Sequence, residues 1–181
     1  MKLTPVEQRF ILHWGEMGTR WGINRTVAQV HALLFLSRNP LHAEEIASTL
    51  SVARSNVSNS LRELQGWGIV RVAHILGDRR DHFESLKDVW EMFQVVAEER
   101  KRREIDPTLH VLQECVAELK GAGAESAYTR DRLTEMLQFL STTSACFEEF
   151  VRLPPAALKG MSRLRGRIAV LLGMGKNSPA K

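Results

Sequence analysis

Apolar side chains recur at three- and four-residue steps along most of this chain, and polar breaks divide it into short helices. Val6, Phe10, Trp14, Met17 and Trp21 form the first stripe. They predict a helix from Pro5 to Trp21, with Thr4 as cap, Pro5 in the first turn and Gly22 as the stop. A second helix runs from an Asn24 cap to about Ser37 through Val27, Val30, Leu33, Leu34 and Phe35. Its apolar residues wrap so widely that it belongs at the centre of a core. Asn39-Pro40 ends it. The third, about Ala43 to Leu50, turns Ile46, Ala47 and Leu50 inward, with His42 at the cap and Glu45 three residues on, an imperfect capping box.

Ser51 and Val52 make a tight turn into a fourth helix, from about Ala53 to Gln65. At 100° per residue its Ser55, Ser58, Asn59 and Arg62 share one side, and Val57, Leu61 and Leu64 the other. An ordinary solvated face carries Glu and Lys pairs. This one accepts poor helix formers and almost no acid, side chains suited to base edges and phosphates. Gly66 and Gly68 bracket Trp67 at its end. Ile69 to Leu76 reads as a strand, Gly77-Asp78 as the turn and Asp81 to Ser85 as the returning strand. Arg79 and Arg80 then stand on the hairpin corner, placed for a phosphate or a minor groove.

Everything after Ser85 reads as helix. Leu86, Val89, Trp90, Phe93, Val96 and Ala97 mark one long helix ending in the charged run Glu98 to Glu104, where Glu98 with Arg102 and Glu99 with Arg103 suit a solvated face. Asp106-Pro107 restarts a helix through Leu109, Leu112, Val116 and Leu119, and Gly121 to Ala124 is a loop. From about Ser126 to Val151, Leu133, Leu137, Leu140, Phe147 and Val151 form a stripe for packing along another helix, interrupted by Ser144. Past Arg152 every charge is positive: Lys159, Arg163, Arg165, Arg167, Lys176 and Lys181. The division expected is a winged helix-turn-helix over 1–86, a helical dimerisation region over 87–151 and a basic C-terminal segment over 152–181. The fold class is mainly α, with a small β-hairpin wing.

With 181 residues and 44% hydrophobic composition, the chain can bury one good core or two small ones. A net charge of +4 mildly favours an anionic partner. No apolar run approaches a bilayer span, and the start lacks a secretory h-region. Two cysteines, Cys115 and Cys146, have no metal-ligand spacing, so a cytoplasmic setting is expected. Cys146 beside Phe147 reads as a small buried residue, and Glu114 and Glu118 around Cys115 blunt its reactivity. The six histidines are scattered; His74 and His82 could face each other across the wing, yet without further ligands they make a poor metal site. No nucleophile elbow or phosphate loop is present, so neither catalysis, a metal nor another cofactor is expected.

The run from Leu41 to Val70, with its Ser55-Asn56-Val57-Ser58-Asn59 face, resembles MarR-type transcriptional regulators. Gly77-Asp78-Arg79-Arg80-Asp81-His82-Phe83-Glu84 on the wing, Asp88 to Met92, Arg100 to Leu109, Trp14 to Gly18 and Trp21 to Arg25 are similar to the branch named for the repressor of glycine betaine synthesis. The resemblance covers roughly residues 10 to 150 and is most specific from Ser51 to Leu109. It implies a homodimeric regulator, usually a repressor, reading an inverted repeat in double-stranded DNA. Carried over by position, the DNA-reading residues are Arg54, Ser55, Asn56, Ser58, Asn59 and Arg62, with Arg79 and Arg80 on the wing. Some members of that branch sense quaternary ammonium compounds, for which Trp14, Trp21, Trp90 and Phe93 are the aromatic candidates. The alternative is a winged helix used for protein interaction or architecture, with DNA incidental. The basic segment matches no motif of the family; clamping flanking DNA and touching a membrane surface are both open to it. Its modest apolar face with Gly160 and Gly166 argues against a strong amphipathic helix, and no membrane partner is expected.

Overall fold

Thr4 starts the first helix, α1 (Pro5–Arg20): its hydroxyl accepts from the Glu7 amide, and the Glu7 carboxylate accepts the Thr4 N–H at 2.7 Å. That reciprocal contact holds the Glu7 carboxyl below its usual range, through the backbone bond from Thr4 first. The computed structural model describes residues 2–119, 126–154 and 156–157. They fall into two compact units, one through Glu99 and one from Arg100. The expected loop at Gly121–Ala124 and the basic residues from Lys159 onward lie outside the described residues.

Helix α2 (Arg25–Leu36) follows, with the Asn24 side chain accepting from the Thr26 amide at 2.8 Å. As its wide apolar wrap predicts, it is central: Val30, Leu33 and Leu34 are essentially shut from solvent. Helix α1 crosses it at Gly18, where a Cβ would stand 2.5 Å from the Ala28 Cβ. Two rigid backbones meet there, so neither can yield as a flexible side chain would. Gly18→Ala gains up to about 1 kcal/mol of helix propensity, and the overpacking it forces outweighs that gain. A net loss of about 1–2 kcal/mol is expected in a urea unfolding midpoint; an unchanged or raised midpoint would show that the helices can part.

A two-residue strand, β1 (Leu41–His42), precedes α3 (Ala43–Leu50), which His42 caps, the Glu45 carboxylate accepting the His42 amide at 3.3 Å. Ser51 then turns the chain in the left-handed region, at φ 54°. This strained non-glycine position delivers α4 (Arg54–Gly66) across the end of α3. Val57, Leu61 and Leu64 of α4 close on Ile46 of α3 and Leu33 of α2 in one core cluster. Ser60 is buried among them because its hydroxyl donates back to the Asn56 carbonyl at 2.8 Å. Gly68, at φ 77°, stops the helix as the Gly66–Gly68 pair predicts.

The wing departs from its predicted form. Its strands are β2 (Val70–Ala73) and β3 (His82–Ser85), shorter than expected, and the last paired residues are Ala73 and His82. Eight residues, 74–81, therefore lie beyond the ladder where a two-residue turn was expected. Within them Asp78 N–H donates to the Ile75 carbonyl at 3.1 Å and Gly77 takes φ 87°. The sheet has a third strand, missed because two residues carry no periodicity: β1 pairs antiparallel with β3 in the order β1-β3-β2. His82 consequently faces His42, with rings 5.5 Å apart, and the expected His74–His82 pairing does not occur.

Leu86 packs on the core from outside any helix, and Asp88 starts α5 (Val89–Arg100) by accepting from the Trp90 amide at 2.7 Å. Met92, Val95 and Val96 of α5 also pack on that core. The unit holding the wing thus runs to Glu99, where the hydrophobic pattern suggested closure at residue 86. In the second unit a π-turn, Lys101–Ile105, leads into α6 (Asp106–Glu118), which packs along α7 (Ala127–Arg152). Lys101 Nζ bridges Asp106 at 2.5 Å and Glu148 at 3.0 Å, clasping the π-turn, α6 and α7 together. Ser144, which interrupts the apolar stripe of α7, is nonetheless buried in that row. Cys146 is exposed and Cys115 half-buried, correcting the expectation that Cys146 is a core residue. At 100° per residue Cys146 falls on nearly the opposite face of α7 from the buried Ser144 and Val151.

Candidate nucleic-acid interface

Helix α4 turns its polar residues outward as the 100° spacing requires. Arg54, Ser55, Asn56, Asn59 and Arg62 are exposed and Ser58 half-buried, while Val57, Leu61 and Leu64 are closed off beneath them. Its first turn carries no acid, and Ala53 offers no capping side chain, so no side-chain acceptor at that end competes for its N–H groups. Serines and asparagines cost helix propensity here. The buried row repays that cost and fixes which residues look out.

Between α4 and the wing lies an open groove. Arg54, Ser58, Arg62 and Gln65 line one wall, and Arg80, Asp81 and Phe83 the other. Arg62 donates to the Asn59 side-chain carbonyl at 3.2 Å, pairing two candidate base-reading groups one turn apart. Arg54 donates to the Glu44 carboxylate at 3.0 Å and also to the Ser58 hydroxyl. That guanidinium holds Glu44 down to a pKa of about 2. Glu44 and Gln65 were missed from sequence. Only once the Ser51 turn is drawn does Glu44 fall beside Arg54.

The two wing arginines behave differently. Arg79 is exposed at the tip. Arg80 is held back: its guanidinium donates to both oxygens of Asp78, at 2.6–3.1 Å, and its NH1 lies 2.9 Å from His42 Nε2. The Arg80 contacts keep the Asp78 carboxyl far below its usual range, and Asp78 in turn raises the Arg80 guanidinium. The expectation of two arginines displayed alike is thus met by one exposed group and one clasped group. Two aliphatic side chains, Ile75 and Leu76, share the tip, Leu76 fully exposed.

The four aromatic candidates are distributed over the first unit. Trp14 is half-buried against the core, stacked on Phe10 at 5.5 Å and edge-on to Trp21 at 5.7 Å. Trp21 is 47% exposed, and on α5 Trp90 is half-buried and Phe93 39% exposed. Placing all four in the core, as their helical spacing suggests, holds for Trp14 alone. Among the described residues no group of three His, Cys, Asp or Glu is placed to hold a metal ion. No described helix is long and apolar enough to cross a membrane.

Residues 21–81 match the family model of the MarR family. The HTH-type transcriptional repressor GbsR of Bacillus subtilis (strain 168) is 22% identical over 143 residues, spanning 77% of this chain and 79% of its own. A solved transcriptional regulator, 20% identical, superposes with a TM-score of 0.64 over 81% of this chain and 96% of its own. The fold shared with that structure is the winged helix with its helical extension.

Proposed function

From the premise that this chain is a MarR-type winged-helix protein, we propose that it is a sequence-specific DNA-binding regulator, acting as a dimeric repressor on an inverted repeat. The observation that carries this reading is the outward face of α4. Hydroxyl, amide and guanidinium groups of α4 point into a groove whose far wall is the wing, and the exposed residues of α4 itself include no large aliphatic or aromatic anchor for a protein partner. In this geometry α4 enters the major groove, Arg62 and Asn59 read base edges, and Arg54, Ser55, Asn56 and Ser58 hold position. Arg79 at the wing tip contacts the backbone or the adjacent minor groove. Repression as the sign of regulation is carried over from the Bacillus relative.

A second copy is supported by the outer face of α7. Met136, Phe139, Phe147 and Phe150 are all exposed and fall within one helical stripe, with Tyr128 at its edge. An exposed apolar row of this kind suits burial against its own symmetry mate. Two-fold pairing would set two α4 helices about one DNA turn, roughly 34 Å, apart.

Selection of bound fragments from random duplex DNA tests both halves. A recovered palindrome with half-sites about one turn apart is expected, with affinity falling steeply as salt rises. Equal retention of all duplexes, or of none, would overturn the reading.

A further inference from the structure

A continuous chain of polar contacts joins the start of α4 to the wing, and its middle member is His42. Arg54 donates to Glu44, whose other oxygen lies 2.9 Å from His42 Nδ1. The opposite ring nitrogen, Nε2, lies 2.9 Å from Arg80 NH1, and Arg80 grips Asp78 with its remaining donors. An arginine is donor-only and a carboxylate acceptor-only, so a single ring form satisfies both contacts. Neutral His42 must carry its proton on Nδ1, donating to Glu44, and leave Nε2 bare to accept from Arg80. The Glu45 amide also approaches Nδ1, at 3.4 Å. One nitrogen cannot serve both, and the shorter contact to a charged acceptor prevails.

We infer that His42 is a positioning residue that locks the wing to the recognition helix through Arg80 and the Glu44–Arg54 pair, and that protonating His42 releases the lock. The inference rests on the DNA-binding reading for its consequence and on the contact geometry for its existence. The groups facing the ring are Glu44 and Glu45 from α3 and Arg80 and His82 from the wing and β3, with Arg54 of α4 behind Glu44 and Asp78 behind Arg80. A proton on Nε2 replaces the acceptor of Arg80 with a second donor. Arg80 then keeps Asp78 and loses its hydrogen bond to His42, the side-chain link that runs from the wing through Glu44 to α4.

Two measurements test this on the full chain. Nitrogen-15 spectra of the free protein near pH 8 are expected to show His42 protonated at Nδ1 with a bare Nε2; an Nε2–H ring would overturn the inference. Preference for the selected fragment over a random duplex is expected to fall about fivefold from about pH 8 to about pH 5.5, the worth of one hydrogen bond. His42→Asn places a side chain suited to a helix start there with no ring to protonate, and is expected to hold its preference steady. The same fall in His42→Asn, or its loss in His82→Gln instead, would overturn it. A protein with no preference near pH 8 removes the DNA reading, while the ring spectra still decide the lock.

Discussion

Acidification from pH 7 to pH 4 is expected to remove about 3 kcal/mol of folding stability through His31 alone. His31 lies on α2, only 7% exposed, with its ring 6.4 Å from Phe35 and its Nε2 without a hydrogen-bond partner among the described residues. Burial is the larger cause, and the nearby Lys87 ammonium adds to it; together they lower its pKa from 6.5 to about 4. The unfolded chain takes up a proton near pH 6.5, whereas the folded chain resists until about pH 4. Between those values the unfolded state binds more protons, so stability rises with pH across that window. The contribution is complete above about pH 6.5 and spent by about pH 4. Denaturant titrations of the parent and His31→Leu at several pH values check this. Parallel losses in the two proteins would mean that other groups carry the acid sensitivity.

Replacing Arg62 with alanine is expected to weaken binding to the selected fragment by about 1–3 kcal/mol and to relax the preference at one position of each half-site. The side chain is exposed on the groove wall, one turn from Asn59, and its guanidinium leans on the Asn59 carbonyl. That contact presets the fork toward a base edge while leaving donors for a purine acceptor. Arg79→Ala provides the contrast. Its effect should be spread evenly over all sequences and appear as a shallower salt dependence. Competition binding with single-base variants distinguishes the two patterns. Should Arg62→Ala retain both affinity and preference, the reading face has been placed on the wrong side of α4.

How much was readable beforehand varies with the physics of each element. Helices α1 to α4 follow from apolar periodicity, because one buried row and one wet row leave a pattern that needs no partner to interpret. The caps Thr4 and Asn24, and the Glu45 carboxylate on the His42 amide, were legible for the same reason, being local contacts within three residues. The wing was harder. A two-residue strand has no period, so β1 was invisible, and with it the meeting of His42 and His82. The eight-residue tip was mistaken for a tight turn because Gly77-Asp78 is a strong turn signal inside a longer excursion. Contacts such as Glu44 with Arg54, or Arg80 with His42, bridge different elements and become visible only after the chain is folded. The packing of Met92, Val95 and Val96 was overlooked because the core of a winged helix was assumed complete at the wing.

Lys87 has a bearing on how the wing is anchored. Its ammonium donates to the carbonyls of Leu34 and Ser37 at 2.7 and 2.6 Å and to that of Phe35 at 3.0 Å. The residue sits two positions past β3, so the strand leaving the wing is moored to the terminus of the central helix. Three acceptors that would otherwise need water share one cation, and its desolvation lowers the Lys87 pKa. A modification that erases this charge, acetylation for instance, would cut the mooring and uncover the helix end in a single stroke.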